Sequence, residues 1–176
     1  DSEQGAMTRE ELMAYYNTFS CSVSVDDGEA LSGCGTYNIP VLASDGEKVK
    51  FNLWVFDSGD YDEEGRYSCV KSNQIEWYKK TRDEYKEKTG RYIPSIVIQH
   101  IPVPEVDRLM LEVKKGTKGA VQGFRKSAKK WYILDESKVN KNAFMKESPA
   151  DPMENGGQFD AMAEKGDVKG IYFGHD

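Results

Sequence analysis

Two apolar runs separated by one long amphipathic segment set the fold class of this chain. Residues 51–56 read Phe-Asn-Leu-Trp-Val-Phe, and residues 96–98 read Ile-Val-Ile, introduced by Pro94. Between them, Ile75, Trp77, Tyr78, Thr81 and Tyr85 supply the buried side of a helix that Ser72 is placed to cap. That helix runs to about Lys88, and Gly90 supplies its C-terminal stop. Strand, helix and strand in this order make a βαβ unit, whose strands are parallel and buried and whose crossover is right-handed. The expected class is therefore α/β. A length of 176 residues suits one ordinary domain. The apolar fraction, 38 %, is low and the charged fraction, 31 %, is high, so the core must rest on ten Tyr, seven Phe and three Trp.

The other elements are read around that unit. Thr8 and Glu11 have the spacing of a capping box and start a helix over residues 8–18, with Leu12, Tyr15, Tyr16 and Phe19 on one stripe. Residues 20–25 alternate like a half-buried strand. Residues 37–42 make a strand that Pro40 confines to an edge or a bulge. A short helix is expected near 104–114, with Val106, Leu109, Met110 and Val113 on one side. The polar stretch from Gly116 to about Asn155 offers one strand, at residues 131–134. One or two helical turns at 159–164 and a strand at 168–173 complete the chain.

The net charge of −6 gives no general reason to expect binding to nucleic acid or anionic lipid. No run approaches the length of a membrane span, and residues 1–5 lack the regions of a signal peptide. Cys21, Cys34 and Cys69 have no CxxC spacing; a Cys21–Cys34 bridge and the cellular compartment both stay open.

Both histidines stand one residue beyond an apolar run: His100 after the run at 96–98 and Gln99, and His175 after Ile171-Tyr172-Phe173 and Gly174. Ligands of open α/β sheets bind beyond the carboxyl ends of the strands, and imidazole is a common metal ligand. Two strand-end histidines suggest one shared metal site. A metal there polarises a phosphoryl oxygen or acidifies a bound water.

The residues around these histidines carry a resemblance. His100-Ile101-Pro102-Val103-Pro104-Glu105 and Gly174-His175-Asp176 resemble, in order and spacing, the His-Ile-Pro-x-Pro-Glu and Gly-His-x-His segments of calcineurin-like metallophosphoesterases related to purple acid phosphatases. Leu53 to Tyr61, Gln74-Ile75-Glu76-Trp77 and Asn155-Gly156-Gly157-Gln158-Phe159 are similar to further family segments. The resemblance implies half of a four-layer αββα sandwich with a mixed sheet, hence a single partial domain over 1–176. It further implies that this is the C-terminal half of the catalytic domain, lying between a Gly-Asn-His motif and the Gly-His-x-His motif. The parent protein would hydrolyse a phosphate ester with water activated by two metal ions (Fe, Zn or Mn). His100 and His175 would hold the same ion, Asp1 would orient a preceding His, and Asn155 would lie on the substrate side. Two histidines are too few for a stable site, so this chain alone is expected to bind metal weakly and to have little activity.

Several features are better read as structural. Gly59-Asp60 and the acids at 57–64 lack calcium-loop spacing and suit a solvated turn. The basic run from Lys114 to Lys130, which includes Arg125 and Lys126, suits a solvated loop or helical face, although it could steer an anionic substrate. A binding module that keeps the fold without catalysis is the competing class. A doubly wound nucleotide-binding domain lacks its Gly-rich signature. Expected partners are the phosphate ester and the missing half of the domain, whose absence would leave apolar surface open to self-association.

Overall fold

The structure, a computed structural model, describes residues 7–24 and 31–175. Its centre is a four-stranded mixed sheet in the order β1-β2-β3-β7. The strands are β1 (Tyr37–Leu42), β2 (Val49–Val55), β3 (Ser95–Gln99) and β7 (Val168–Phe173). β2, β3 and β7 run parallel, and β1 lies antiparallel to β2. Pro40 sits on the outer strand β1, and the ladder is irregular beside it at Val41 and Leu42, as a residue without an N–H requires.

Helix α2 (Ser72–Thr89) makes the crossover from β2 to β3. Gly90 closes it with φ 78°, the left-handed conformation that glycine adopts freely. Ser72 is the first helical residue and not the cap; Lys71 takes that place, and its N–H donates to Oε1 of Gln74 at 2.8 Å. Together α2 and α3 (Gln158–Ala163) cover one face of the sheet. The core there joins Trp54, Phe56 and Val97 to Val70, Ile75, Tyr78, Ala161 and Met162. Trp54 meets Tyr78 and Trp77 edge-on at 4.9 and 5.5 Å, a geometry that aromatic quadrupoles favour. Gln74 and Arg82, which sequence periodicity assigns to the polar side, are buried on α2. Gln74 Nε2 donates to Thr36 Oγ1 at 2.6 Å and to the Asp57 carbonyl at 2.8 Å, fastening the start of α2 to the end of β2.

A second, three-stranded antiparallel sheet, β4-β6-β5, follows the central one. It consists of β4 (Met110–Val113), β5 (Val121–Gln122) and β6 (Trp131–Leu134). The helix expected at 104–114 is replaced by a 3-10 turn, Pro104–Leu109, running straight into β4. Pairing of Met110 with Leu134 and of Val113 with Trp131 satisfies the backbone that a helix would have bonded internally. The basic run holds a single 3-10 turn, Arg125–Ser127, in place of a long helical face, and part of its charge is neutralised: Lys126 pairs with Asp151 and Lys130 with Glu112.

Helix α1 (Arg9–Tyr16) starts with the expected capping box, Thr8 to Glu11 and back. Its apolar stripe is not buried; Leu12, Tyr15, Tyr16 and Phe19 are all exposed. Residues 20–24 form a turn and irregular chain instead of a strand. The hydroxyls of Ser22 and Ser24 both bond to the Asn17 side chain, a local alternative to a strand ladder. Among the described residues, no helix is long and apolar enough to cross a membrane.

Candidate functional site

Parallel strands bring their carboxyl ends to one edge, and β3 and β7 are neighbours. His100 and His175 therefore converge. Their ring centroids are 4.7 Å apart, and the His175 N–H donates to the His100 carbonyl at 3.0 Å. A Cβ on Gly174 would stand 3.3 Å from Nδ1 of His100, so the glycine leaves space for that ring. His100 is exposed and His175 half-buried.

A cleft of about 450 Å³ opens beside the pair. The loop after β2 contributes Asp57, Ser58, Asp60, Tyr61 and Tyr67, and the segment around α1 contributes Met7, Arg9 and Leu12. Asp57 is the hinge of this arrangement. Its carboxylate is buried and accepts from the Cys34 N–H at 2.6 Å and the Gly59 N–H at 2.9 Å while pairing with Arg9. Charge-assisted bonds of this kind are the strong ones, and here they hold α1 against the strand ends. Ser58 ties the loops after β2 and β3 together by accepting from the Ile101 N–H at 2.9 Å.

The acidic turn is mainly architectural. Asp62 accepts from the Arg66 N–H at 2.8 Å and from Arg66 Nε at 2.7 Å. These bonds, the backbone one foremost, hold its carboxyl below the ordinary range. They close a hairpin that sets Tyr61 against Tyr67. The Tyr61 hydroxyl donates to that of Tyr67 at 3.4 Å, which pushes the Tyr61 phenol upward. Asp60 differs from Asp62, Glu63 and Glu64, since it lines the cleft.

Asn155 lies away from the cleft. Its amide donates to buried Glu105 at 2.6 Å, and its side-chain oxygen accepts from the Gly157 N–H at 2.8 Å. Asp1 lies outside the described residues, as does Asp176. Arg9, Asp57, Tyr61 and Tyr67 were not legible as site residues: loops and a docked helix assemble them, and no periodicity marks such positions.

Two imidazoles fit two positions around a metal ion. Among the described residues, no group of three or more His, Cys, Asp or Glu is arranged to hold one. The donor set in this chain is thus partial, and structural zinc alone takes four ligands.

No family model matches the chain, and no solved structure matches it significantly. Two curated relatives from Arabidopsis thaliana do. "Probable inactive purple acid phosphatase 14" is 27 % identical over 194 residues, which cover 99 % of this chain and 42 % of the relative. "Probable inactive purple acid phosphatase 29" is 26 % identical over 193 residues, covering 99 % of this chain and 43 % of the relative. The chain therefore spans less than half the length of the curated relatives it matches. A mixed α/β sheet with parallel strands is consistent with a partial metallophosphoesterase domain, and over nearly its whole length the chain is similar in sequence to these two purple acid phosphatase relatives.

Proposed function

We propose that the intact protein is a metal-dependent phosphohydrolase and that this chain is the C-terminal half of its catalytic domain. One observation carries the reading: two imidazoles 4.7 Å apart at the ends of adjacent parallel strands, facing one cleft. His100 and His175 hold one ion of a pair, of Fe, Zn or Mn, and the remaining donors come from the rest of the protein. When bound, the ions supply an acidified water and charge stabilisation at the phosphoryl group. Within this chain, Asp57 and Arg9 fix the cleft's shape, and Gly174 gives the His100 ring its space. The remaining half of the domain covers the open face of the sheet.

With Mn²⁺ or Zn²⁺ supplied, the intact protein should turn over a phosphate monoester. His100→Ala and His175→Ala should each lower the rate by at least about a hundredfold, more than loss of an outer-shell partner costs. This chain alone should bind the same ions weakly, and two tight sites in a calorimetric titration would contradict that. A second reading, a binding module without catalysis, is favoured by the names of both relatives, which are called probable inactive. Absence of turnover from metal-loaded intact protein would select it.

A further inference from the structure

The β4-β6-β5 sheet breaks the pattern of an ordinary surface sheet. An antiparallel sheet commonly turns apolar residues to the core and polar ones to water. Met110 is 9 % exposed and marks the inward face of β4. Side chains alternate along a strand, and directly opposite residues share a face. Leu111 and Val113, with their partners Ile133 and Trp131, therefore stand on the outward face. Leu111 is 45 % exposed, and the other three are half-buried. Lys115 lies 5.7 Å from the centre of the Trp131 ring, within cation–π range.

The charge around this apolar strip is of one sign. Residues 114–130 hold seven Lys and Arg and no acid, in a chain of net charge −6. Lys126 and Lys130 pair with Asp151 and Glu112, and Arg125 is engaged with the Gly65 carbonyl and the Tyr67 ring. Lys114, Lys115, Lys118 and Lys129 are exposed, and among the described residues none of them pairs with a carboxylate. The strand edge is open as well. Among the described residues β4 has β6 on one side and no strand on the other. The Asp135 N–H donates to the Leu109 carbonyl across the ladder at 2.8 Å, and antiparallel bonding alternates from one pair to the next. Glu112, paired with Tyr132, therefore turns its backbone N–H and C=O to the open side.

We propose that this sheet is a docking surface for an extended, acidic segment of a partner protein. The segment adds to β4 as a further strand. Its alternate apolar side chains lie on the strip of Leu111, Val113, Trp131 and Ile133, and its carboxylates meet the four lysines. In such pairing main-chain bonds give affinity and alternate side chains give specificity. A polypeptide fits where nucleic acid or an anionic membrane does not. Phosphates would use the lysines and leave the strand edge and the apolar strip unmatched. No residue of this surface lines the histidine cleft, and the proposal does not rest on the phosphohydrolase reading.

The test is binding of labelled probes to the intact protein, followed by fluorescence anisotropy. The probes are a peptide alternating Glu with Val, its counterpart with Lys for Glu, the acidic peptide N-methylated along its backbone, and oligouridylate; phosphatidylserine vesicles are tested by flotation. The acidic peptide should bind at least about tenfold more tightly than the basic one, and more weakly as salt rises. N-methylation removes the donors a new strand needs and should lower the affinity about tenfold. Lys114→Glu combined with Lys118→Glu should also lower it about tenfold, and Leu111→Ser about fivefold. Lys80→Glu, at an exposed lysine of α2, is the control and should leave it as it is. Equal affinity for the acidic and basic peptides, or indifference to N-methylation or to the lysine substitutions, overturns the proposal. So does tighter binding of oligouridylate or of the vesicles, which would make the sheet a phosphate-binding face. Failure of every probe to bind would show that the rest of the protein covers the sheet, and overturns it too.

Discussion

The two faces of the central sheet are made of similar residues and meet different fates. On the helix-covered face Trp54 is 2 % exposed and Val97 is fully buried. On the opposite face Ile98, the next residue after Val97, is 44 % exposed, and its strand neighbour Tyr172 is 59 % exposed. Leu53, Val55 and Ile96 share that second face and are only half-buried. Parallel strands are apolar on both sides because both sides are normally covered. The described residues supply one cover, α2 and α3. A sheet whose strands are apolar on both sides is suited to a cover on each, and among the described residues one face has it.

The comparison can be broken most directly by truncating one residue on each face. Trp54→Ala should cost about 3–5 kcal/mol, the range for removing a large aromatic from a packed core. Ile98→Ala should cost about 1 kcal/mol or less, because so much of that side chain already meets water. Urea unfolding of both variants decides it, and equal losses would mean that the two faces are equally buried in solution. The open face also predicts association. This chain alone should sediment as a mixture of self-associated species, and the double substitution Ile98→Lys and Tyr172→Lys should shift it to monomer, since charge on a sheet face opposes face-to-face packing. A wild-type chain that sediments as a sharp monomer would show that the face is stable without a cover.

What the sequence made legible follows the same division. The β2–α2–β3 unit was readable because dense apolar residues change period from two to 3.6 and back. The final strand was readable for the same reason. The β4-β6-β5 sheet was not, apart from β6: β5 is two residues long, and most of the sheet lies half-buried or exposed, so neither length nor alternation marks it. Residues 20–24 misled because their alternation came from serines that bond locally to Asn17. Each histidine could be picked out at the end of an apolar run, but its convergence with the other depends on β3 and β7 being neighbours, which no local pattern encodes. Arg9, Tyr61 and Tyr67 reach the cleft through bonds of Asp57 and Asp62, two carboxylates that look like any others in an acidic turn.

The smallest expected effect asks how dry the covered face is at its β7 edge. Asp167 is 3 % exposed just before β7. Its Oδ2 accepts from the buried Tyr78 hydroxyl at 2.9 Å, while Oδ1 has no hydrogen-bond partner among the described residues. Burial raises the carboxyl's pKa, against the opposing pull of the Tyr78 bond and the Arg82 charge. A raised carboxyl contributes stability that is full below its unfolded pKa, near 4, and is lost as pH rises through the folded value. Asp167→Asn keeps an acceptor for Tyr78 and carries no charge. The variant should therefore be more stable than wild type at pH 7 by about 1 kcal/mol or less, with the gain vanishing near pH 3. Thermal melts at the two pH values measure it. A gain independent of pH would trace to packing and not to charge, and no gain at pH 7 would mean that water reaches this carboxylate. In that case the contrast between the faces would be one of degree at β7, while remaining sharp at Trp54 and Val97.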